Sequence, residues 1–118
     1  MTDIEVMETA VKALDSKKGR KINVLKVDDL TILGNYFVIC SATSTTQVKA
    51  LADEVEFKLG EKGVQPKNIE GYQSKTWIVL DYIDVIVHVF MEDQRDFYQL
   101  EHLWADGTPV DISHLVTD

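Results

Sequence analysis

Two unbroken runs of strand-forming residues, Tyr36–Cys40 and Val85–Phe90, constrain the fold of this chain more than any other feature. A strand with one solvated face alternates apolar and polar residues, whereas a strand covered on both faces is apolar throughout. The four residues Asp81–Asp84 join the second run to another apolar segment, Trp77–Leu80, and this spacing predicts a β-hairpin. The sequence therefore predicts a sheet with Val85–Phe90 in a central position.

Helical signals lie around these strands. Thr2–Glu5 has the spacing of a capping box, and the apolar residues behind it predict a helix over residues 3–16. Ser44–Gln47 has the same spacing and predicts a second helix that ends near Gly60 and Gly63. A third helix is expected after Asp93, with four apolar residues turned inward: Phe97, Leu100, Leu103 and Trp104.

Two further strands are expected, one at Ile22–Val27, closed by Asp28 and Asp29, and a short one near Ile69. A strand, helix, strand order favours a crossover into a covered sheet. We predict an α/β fold: one compact domain over residues 1–106, a mixed sheet of about five strands flanked by helices, and a loosely held tail over residues 107–118.

Composition narrows the function. The net charge of -8 argues against bare phosphate backbone as the main ligand, and it suits a basic protein partner as well as it suits simple solubility. Cys40 is the only cysteine, which excludes an intrachain disulfide and a cysteine-based zinc site. No apolar run is long enough to span a bilayer, and the acidic N-terminus differs from a signal peptide, so we expect a cytoplasmic protein with no membrane partner.

No set of residues has the pattern of an active site. Asp81 and Asp84 are three positions apart, whereas a nucleotidyltransferase holds Mg²⁺ with carboxylates at alternate strand positions and has a Gly-Ser phosphate loop. His88 lies mid-strand and is interpreted as a hydrogen-bonded core histidine. Cys40 lies in a run that is expected to be buried, where thiols are inert. Thr43–Thr46 lacks the glycines and lysine of a phosphate loop and is better explained as a helix cap.

Two features have open interpretations. The basic cluster formed by Lys17, Lys18, Arg20 and Lys21 fits a marginal RNA contact and fits equally a set of cations at a helix C-terminus. Trp77 fits a core position, and beside the hairpin acids it also fits the anchor of a protein interface.

Three segments of the chain, taken together, resemble the Iojap-related ribosomal silencing factors, and the resemblance extends from about Ile4 to Asp106. The segments are Tyr36–Ser44 continuing through Gln47–Ala52, Glu70–Tyr72 leading to Trp77–Tyr82, and Asp84–Phe90 leading to Tyr98–Trp104. Two positions depart from the family pattern: Asn35 replaces a frequent aspartate, and Ile83 replaces a glycine that is common in the hairpin.

The resemblance implies a nucleotidyltransferase-like fold without the catalytic motif, no enzyme activity and no cofactor or metal. It implies binding to the large ribosomal subunit through the universal large-subunit ribosomal protein fourteen, a steric block of subunit joining, and repression of translation under nutrient limitation. Several family members pair as homodimers. Carried onto this chain, the docking surface comprises Glu70, Trp77, Asp81, Tyr82, Asp84 and His88. The alternative is a small nucleotidyltransferase-like enzyme that uses Mg²⁺ and a nucleotide.

Overall fold

The first helix, α1 (Asp3–Ser16), begins at a reciprocal cap, and its bounds are those predicted. The computed structural model describes residues 2–26, 35–74, 76–92 and 108–116. The Thr2 hydroxyl accepts a hydrogen bond from the Glu5 backbone N–H at 3.2 Å, and the Glu5 carboxylate accepts one from the Thr2 N–H at 3.2 Å. Two N–H groups that the helix leaves unpaired are thereby satisfied, which fixes the start of α1.

The second helix, α2 (Thr45–Glu61), is capped by Ser44, whose hydroxyl accepts a hydrogen bond from the Gln47 N–H at 3.1 Å. The Gln47 side chain does not close the box on Ser44. Its oxygen accepts from the Thr43 N–H at 2.8 Å, and its nitrogen donates to the Lys18 carbonyl at 3.1 Å. Gln47 therefore links the start of α2 to the turn that follows α1.

The described residues form one mixed sheet of six strands in the order β3-β4-β5-β2-β1-β6. β2 and β5 are parallel neighbours at its centre and are buried almost throughout, as the two apolar runs predict. All other neighbouring pairs are antiparallel. The strands are β1 (Arg20–Lys26), β2 (Tyr36–Ala42), β3 (Asn68–Glu70), β4 (Trp77–Asp81), β5 (Val85–Met91) and β6 (Thr108–Pro109).

The main core lies between the two helices and one face of the sheet. Inward residues of α1 such as Leu14 and of α2 such as Leu51 meet alternate residues of the central strands, among them Val38 and Val87. The opposite set of alternate residues points to the other face, where Phe37, Ile39, Ile86 and Phe90 form separate apolar clusters.

The expectation of a loosely held tail is wrong for residues 108–116. β6 pairs with β1, and the Val110 N–H donates to the Val24 carbonyl at 2.9 Å. Leu115 is buried in the main core, and His114 Nε2 lies 3.5 Å from a carboxylate oxygen of Glu8 on α1. Pairing with a distant strand is a tertiary contact that a short polar segment does not signal, and it adds the sixth strand to the five expected.

Several predictions fall on residues outside the described ranges. These are the third helix beginning at Asp93, its four apolar residues, and the end of the first strand at Val27, Asp28 and Asp29. Within the described ranges, no helix has both the length and the apolar character that crossing a membrane requires.

Candidate functional site

Four of the six residues expected at the docking surface lie on the sheet face opposite α1 and α2, which we call the far face. Trp77 and Asp81 alternate along β4 on this face, and His88 lies beside them on β5, directly across from Val79. Glu70 on β3 is also directly opposite Val79, so its side chain shares this face. Register across three strands thus brings together residues that are up to 18 positions apart.

The Trp77 indole is held on the far face by contacts with β5. Its ring stacks on Phe90 with centroids 4.9 Å apart, and its Nε1–H donates a hydrogen bond to His88 Nδ1 at 3.3 Å. Trp77 is half-buried, which is intermediate between the core and the surface interpretations of the sequence. Tryptophan is among the residue types that are enriched at the energetic centres of protein interfaces.

His88 is the neutral acceptor that fixes this indole. Its ring lies 5.1 Å from Phe37 and 6.0 Å from Phe90, between centroids, and it is buried. Burial among apolar rings lowers the pKa of His88 to about 4. Because Nδ1 accepts from Trp77, the ring proton must lie on Nε2, which is buried and has no hydrogen-bond partner among the described residues. The expected core histidine is confirmed, and its role is to support Trp77 from within.

Gly71 positions the start of β4, a role that no local pattern in the sequence indicates. Its φ is +95°, and a Cβ atom at this position would overlap the Trp77 carbonyl oxygen and crowd Ile78 Cα at 3.2 Å. Only glycine allows the two backbones to approach this closely. The Glu70–Gly71–Tyr72 segment therefore holds β3 against β4 at the position of Trp77.

A hydrogen-bonded group on α2 holds the loop before β4, and it too was missed. The Tyr72 hydroxyl donates to Asp53 Oδ1 at 2.8 Å, and Lys49 Nζ pairs with Asp53 Oδ2 at 2.8 Å. Burial, together with the bond to this carboxylate, raises the pKa of Tyr72 above its usual range. The signal in the sequence is the Lys49–Asp53 spacing on one helix face, but it does not reveal Tyr72 as the third member.

The hairpin tip between β4 and β5 carries the remaining acidic residues. Asp81 is half-buried, and its Oδ1 accepts from the Ile83 N–H at 2.8 Å. Asp84 is exposed, and its carbonyl accepts from the Tyr36 N–H at 3.0 Å, which ties the tip to β2. Ile83, between them, is exposed and has a φ of +73°. The Asp84 side chain is therefore open to solvent, and that of Asp81 is partly so.

The family resemblance places Tyr82 on the docking surface, but the structure buries its side chain. Its side chain alternates with that of Asp81, so it points to the helix side of the sheet and joins the main core at 8% exposure. Its hydroxyl is buried without a hydrogen-bond partner in the described structure, and burial raises the pKa of Tyr82 above its usual range. Tyr82 therefore supports the hairpin and does not present a ring to a partner.

Cys40 and His88 lie on opposite faces of the sheet. Cys40 lies in the main core on the helix side of β2, whereas His88 points to the far face, so they cannot act as nucleophile and base. In residues 2–26, 35–74, 76–92 and 108–116, no three His, Cys, Asp or Glu side chains are placed to hold a metal ion. The groups that the far face presents here are the half-buried Trp77 side chain and the carboxylates of Glu70 and Asp81.

The basic cluster spans the turn after α1 and the first two residues of β1, and its four cations are exposed. Lys18 and Lys21 both have positive φ values, of 61° and 50°. Arg20 pairs with Glu92 at 3.3 Å, and both side chains are largely solvated. A surface pair of this kind contributes little stability.

Comparison with known proteins identifies the family. The family model described as "Ribosomal silencing factor during starvation" matches residues 1–118. A "Ribosomal silencing factor RsfS" of Halalkalibacterium halodurans is 35% identical over 117 residues, which cover 99% of this chain and 100% of the relative. The chain belongs to the ribosomal silencing factor family. The namesake from Bacillus subtilis is 36% identical and covers 95% of each chain.

A chloroplast relative and a crystal structure extend this result. "Protein Iojap, chloroplastic" of Zea mays is 33% identical over 93% of this chain and 49% of its own length. A crystal structure of a Chromobacterium violaceum protein superposes with a TM-score of 0.87 at 39% identity and covers 89% of this chain and 88% of that chain. The Iojap-related family and the single α/β domain with a mixed sheet are confirmed. The family is named for a regulatory role in ribosome silencing.

Proposed function

We propose that this protein is a binding module that docks on the large ribosomal subunit through the far face and hairpin tip. The observation that supports this is the Trp77 indole, fixed by His88 and bordered by accessible carboxylates of Glu70 and Asp81. Interfaces concentrate their binding energy on such aromatic anchors, and a rim of one charge sign selects a partner of the opposite sign.

The partner is the universal large-subunit ribosomal protein fourteen, a basic protein at the subunit interface, as the family resemblance implies. The net charge of -8 suits a basic partner and disfavours phosphate backbone as the main contact. A domain bound at that position occupies space that the small subunit needs, so the mechanism is steric and requires no chemistry. The chain then represses translation by preventing subunit joining when nutrients are limiting.

Direct binding to purified large subunits tests the docking surface. Trp77→Ala removes the anchor and is expected to weaken association by roughly a hundredfold, in the range of interface hot spots. Glu70→Lys reverses one exposed charge without touching the core and is expected to weaken association most at low salt. Phe57→Ala is the matched control, since Phe57 is an aromatic of α2 with 58% exposure away from this face. Folded Trp77→Ala protein that binds like the wild type contradicts the proposal.

The alternative is a small nucleotidyltransferase-like enzyme, which would need Mg²⁺ and a nucleotide; within the described ranges, no three His, Cys, Asp or Glu side chains are placed to hold a metal ion. Titration calorimetry with ATP, CTP or GTP and Mg²⁺ tests it, and measurable heat of binding would support it.

Three further expectations stay predictions: a cytoplasmic location, a homodimer away from the ribosome, and an RNA contact by the basic cluster. Sedimentation equilibrium tests the homodimer. Replacing Lys18 and Lys21 with glutamate and measuring the salt dependence of subunit binding tests the RNA contact.

A further inference from the structure

The hairpin tip is a rigid turn that holds one isoleucine in an unfavourable backbone conformation. The Tyr82 N–H donates to the Val85 carbonyl at 2.9 Å, the Asp84 N–H donates to the Tyr82 carbonyl at 2.9 Å, and the Ile83 N–H donates to Asp81 Oδ1 at 2.8 Å. These bonds define a tight three-residue turn centred on Ile83, with a φ of +73°. Glycine or asparagine is the usual residue at such a φ, and a β-branched residue there is a genuine outlier.

Among the described residues, the Ile83 side chain makes no contact with the apolar core that would offset this backbone strain. The Ile83 side chain is 60% exposed and belongs to none of the apolar clusters of the described residues. Asparagine or glycine would relieve the backbone strain and would remove an apolar group from water. A strained residue that contributes no packing points to a requirement other than stability.

The charges around Ile83 indicate the class of partner. Asp81 and Asp84 lie on either side of it in the chain, and no described Lys or Arg side chain forms an ion pair with either carboxylate. The Asn35 N–H donates to the Asp84 carbonyl at 2.7 Å while its side chain donates to Asp3 at 2.8 Å, which brings a third carboxylate to the same end of the sheet. Carboxylates repel the phosphates of RNA and attract Lys and Arg, so the tip suits a basic protein surface.

We infer that Ile83 is an apolar anchor of the docking surface, inserted into an apolar depression that Lys or Arg residues border on the partner protein. Asp81 links the two parts of this surface, since it lies on the far face with Trp77 and also caps the Ile83 N–H. The carboxylates give orientation and association rate, and the isoleucine gives affinity by leaving water. This inference rests on the proposed function.

The test compares stability and affinity in the same variants, because the inference predicts that they change in opposite directions. Ile83→Asn is expected to raise the melting temperature, since asparagine tolerates positive φ. The same variant is expected to bind purified large subunits about tenfold more weakly, because burial of an isoleucine side chain is lost. Ile83→Val keeps a β-branched apolar group and is expected to bind within about threefold of the wild type.

Phe57→Ser is the matched control, since it removes an exposed apolar residue from α2 and should leave binding unchanged. Wild-type affinity in Ile83→Asn overturns the inference, and so does weaker binding accompanied by a lower melting temperature, which would show a folding role. If Ile83→Asn binds normally while Trp77→Ala does not, only the role of Ile83 is refuted. If the wild type itself does not bind large subunits, both the inference and the proposed function are refuted.

Discussion

Burial of His88 should make the stability of this protein sensitive to mild acid. The pKa of His88 is about 4 in the folded protein against 6.5 for the exposed side chain, because protonation would place a charge among apolar rings. The unfolded chain therefore binds a proton that the folded chain resists, and folding loses stability as pH falls below 6.5 towards 4. Above pH 6.5 the histidine is neutral in both states and the effect is absent.

The size of the effect follows from the two pKa values. Between pH 7 and pH 5 the unfolded state becomes almost fully protonated while the folded state stays neutral, which removes about 2 kcal/mol from the free energy of unfolding. Most carboxylates remain ionised at pH 5, so the window separates His88 from the acidic residues. His114 is exposed, and it is present in the wild type and in the comparison variant alike.

Urea unfolding at several pH values between 7 and 5 measures the contribution of His88 to the free energy of unfolding, with His88→Phe as the comparison variant. Phenylalanine fits a position between Phe37 and Phe90 and cannot titrate. The variant is expected to lose about 2 kcal/mol less than the wild type over this range. NMR titration of the His88 ring protons gives the folded pKa directly and does not depend on the variant. Equal losses in both proteins, or a measured pKa near 6.5, would refute the argument.

Three other substitutions test the supports of the site by chemical denaturation. Gly71→Ala is expected to lower the free energy of unfolding by about 3 kcal/mol or more, because its Cβ would overlap the Trp77 carbonyl oxygen. Gly63→Ala is the control: Gly63 has a φ of +79° and open space around it, so the loss should be about 1 kcal/mol. Similar losses in the two variants would contradict the close approach of Gly71 to Trp77. Gly19→Ala places a Cβ 2.5 Å from Cys40 Sγ and should lower the free energy of unfolding by about 2 kcal/mol. Adding Cys40→Ala should restore part of this loss, because it removes the sulfur atom that the Cβ meets. Purely additive effects of the two substitutions would contradict the clash. Tyr72→Phe should lower the free energy of unfolding by about 1 kcal/mol, because the hydrogen bond to Asp53 at 2.8 Å is lost. In a protein that already carries Asp53→Ala, the same substitution should have no effect on stability.

Local sequence signals predicted the elements well where the cause is local. The reciprocal hydrogen bonds of Thr2 and Glu5 lie within four successive residues, so the sequence alone predicts the start of α1. The apolar runs of β2 and β5 predict burial on both faces, and the burial is confirmed. The sequence does not show that these two strands pair with each other in parallel, because α2, β3 and β4 separate them in the chain.

The candidate site was predicted less completely, for a related reason. Side chains alternate between the two faces of the sheet along β4 and into the hairpin, so Trp77 and Asp81 lie on one face and Tyr82 on the other. This alternation can be read from the sequence, and it indicates that Tyr82 does not share a face with Trp77. The contact of Gly71 with Trp77 depends on how β3 and β4 meet, and the bond of Tyr72 to Asp53 depends on how the loop lies on α2. Such tertiary contacts follow only once the strand register is known.

Sucrose-gradient sedimentation of purified ribosomal subunits, with and without this protein at moderate salt, tests the central claim most directly. We predict that the protein travels with the large subunit and depletes the peak of joined ribosomes, and that the Trp77→Ala variant does neither. A protein that stays at the top of the gradient while the joined peak is unchanged would contradict the account.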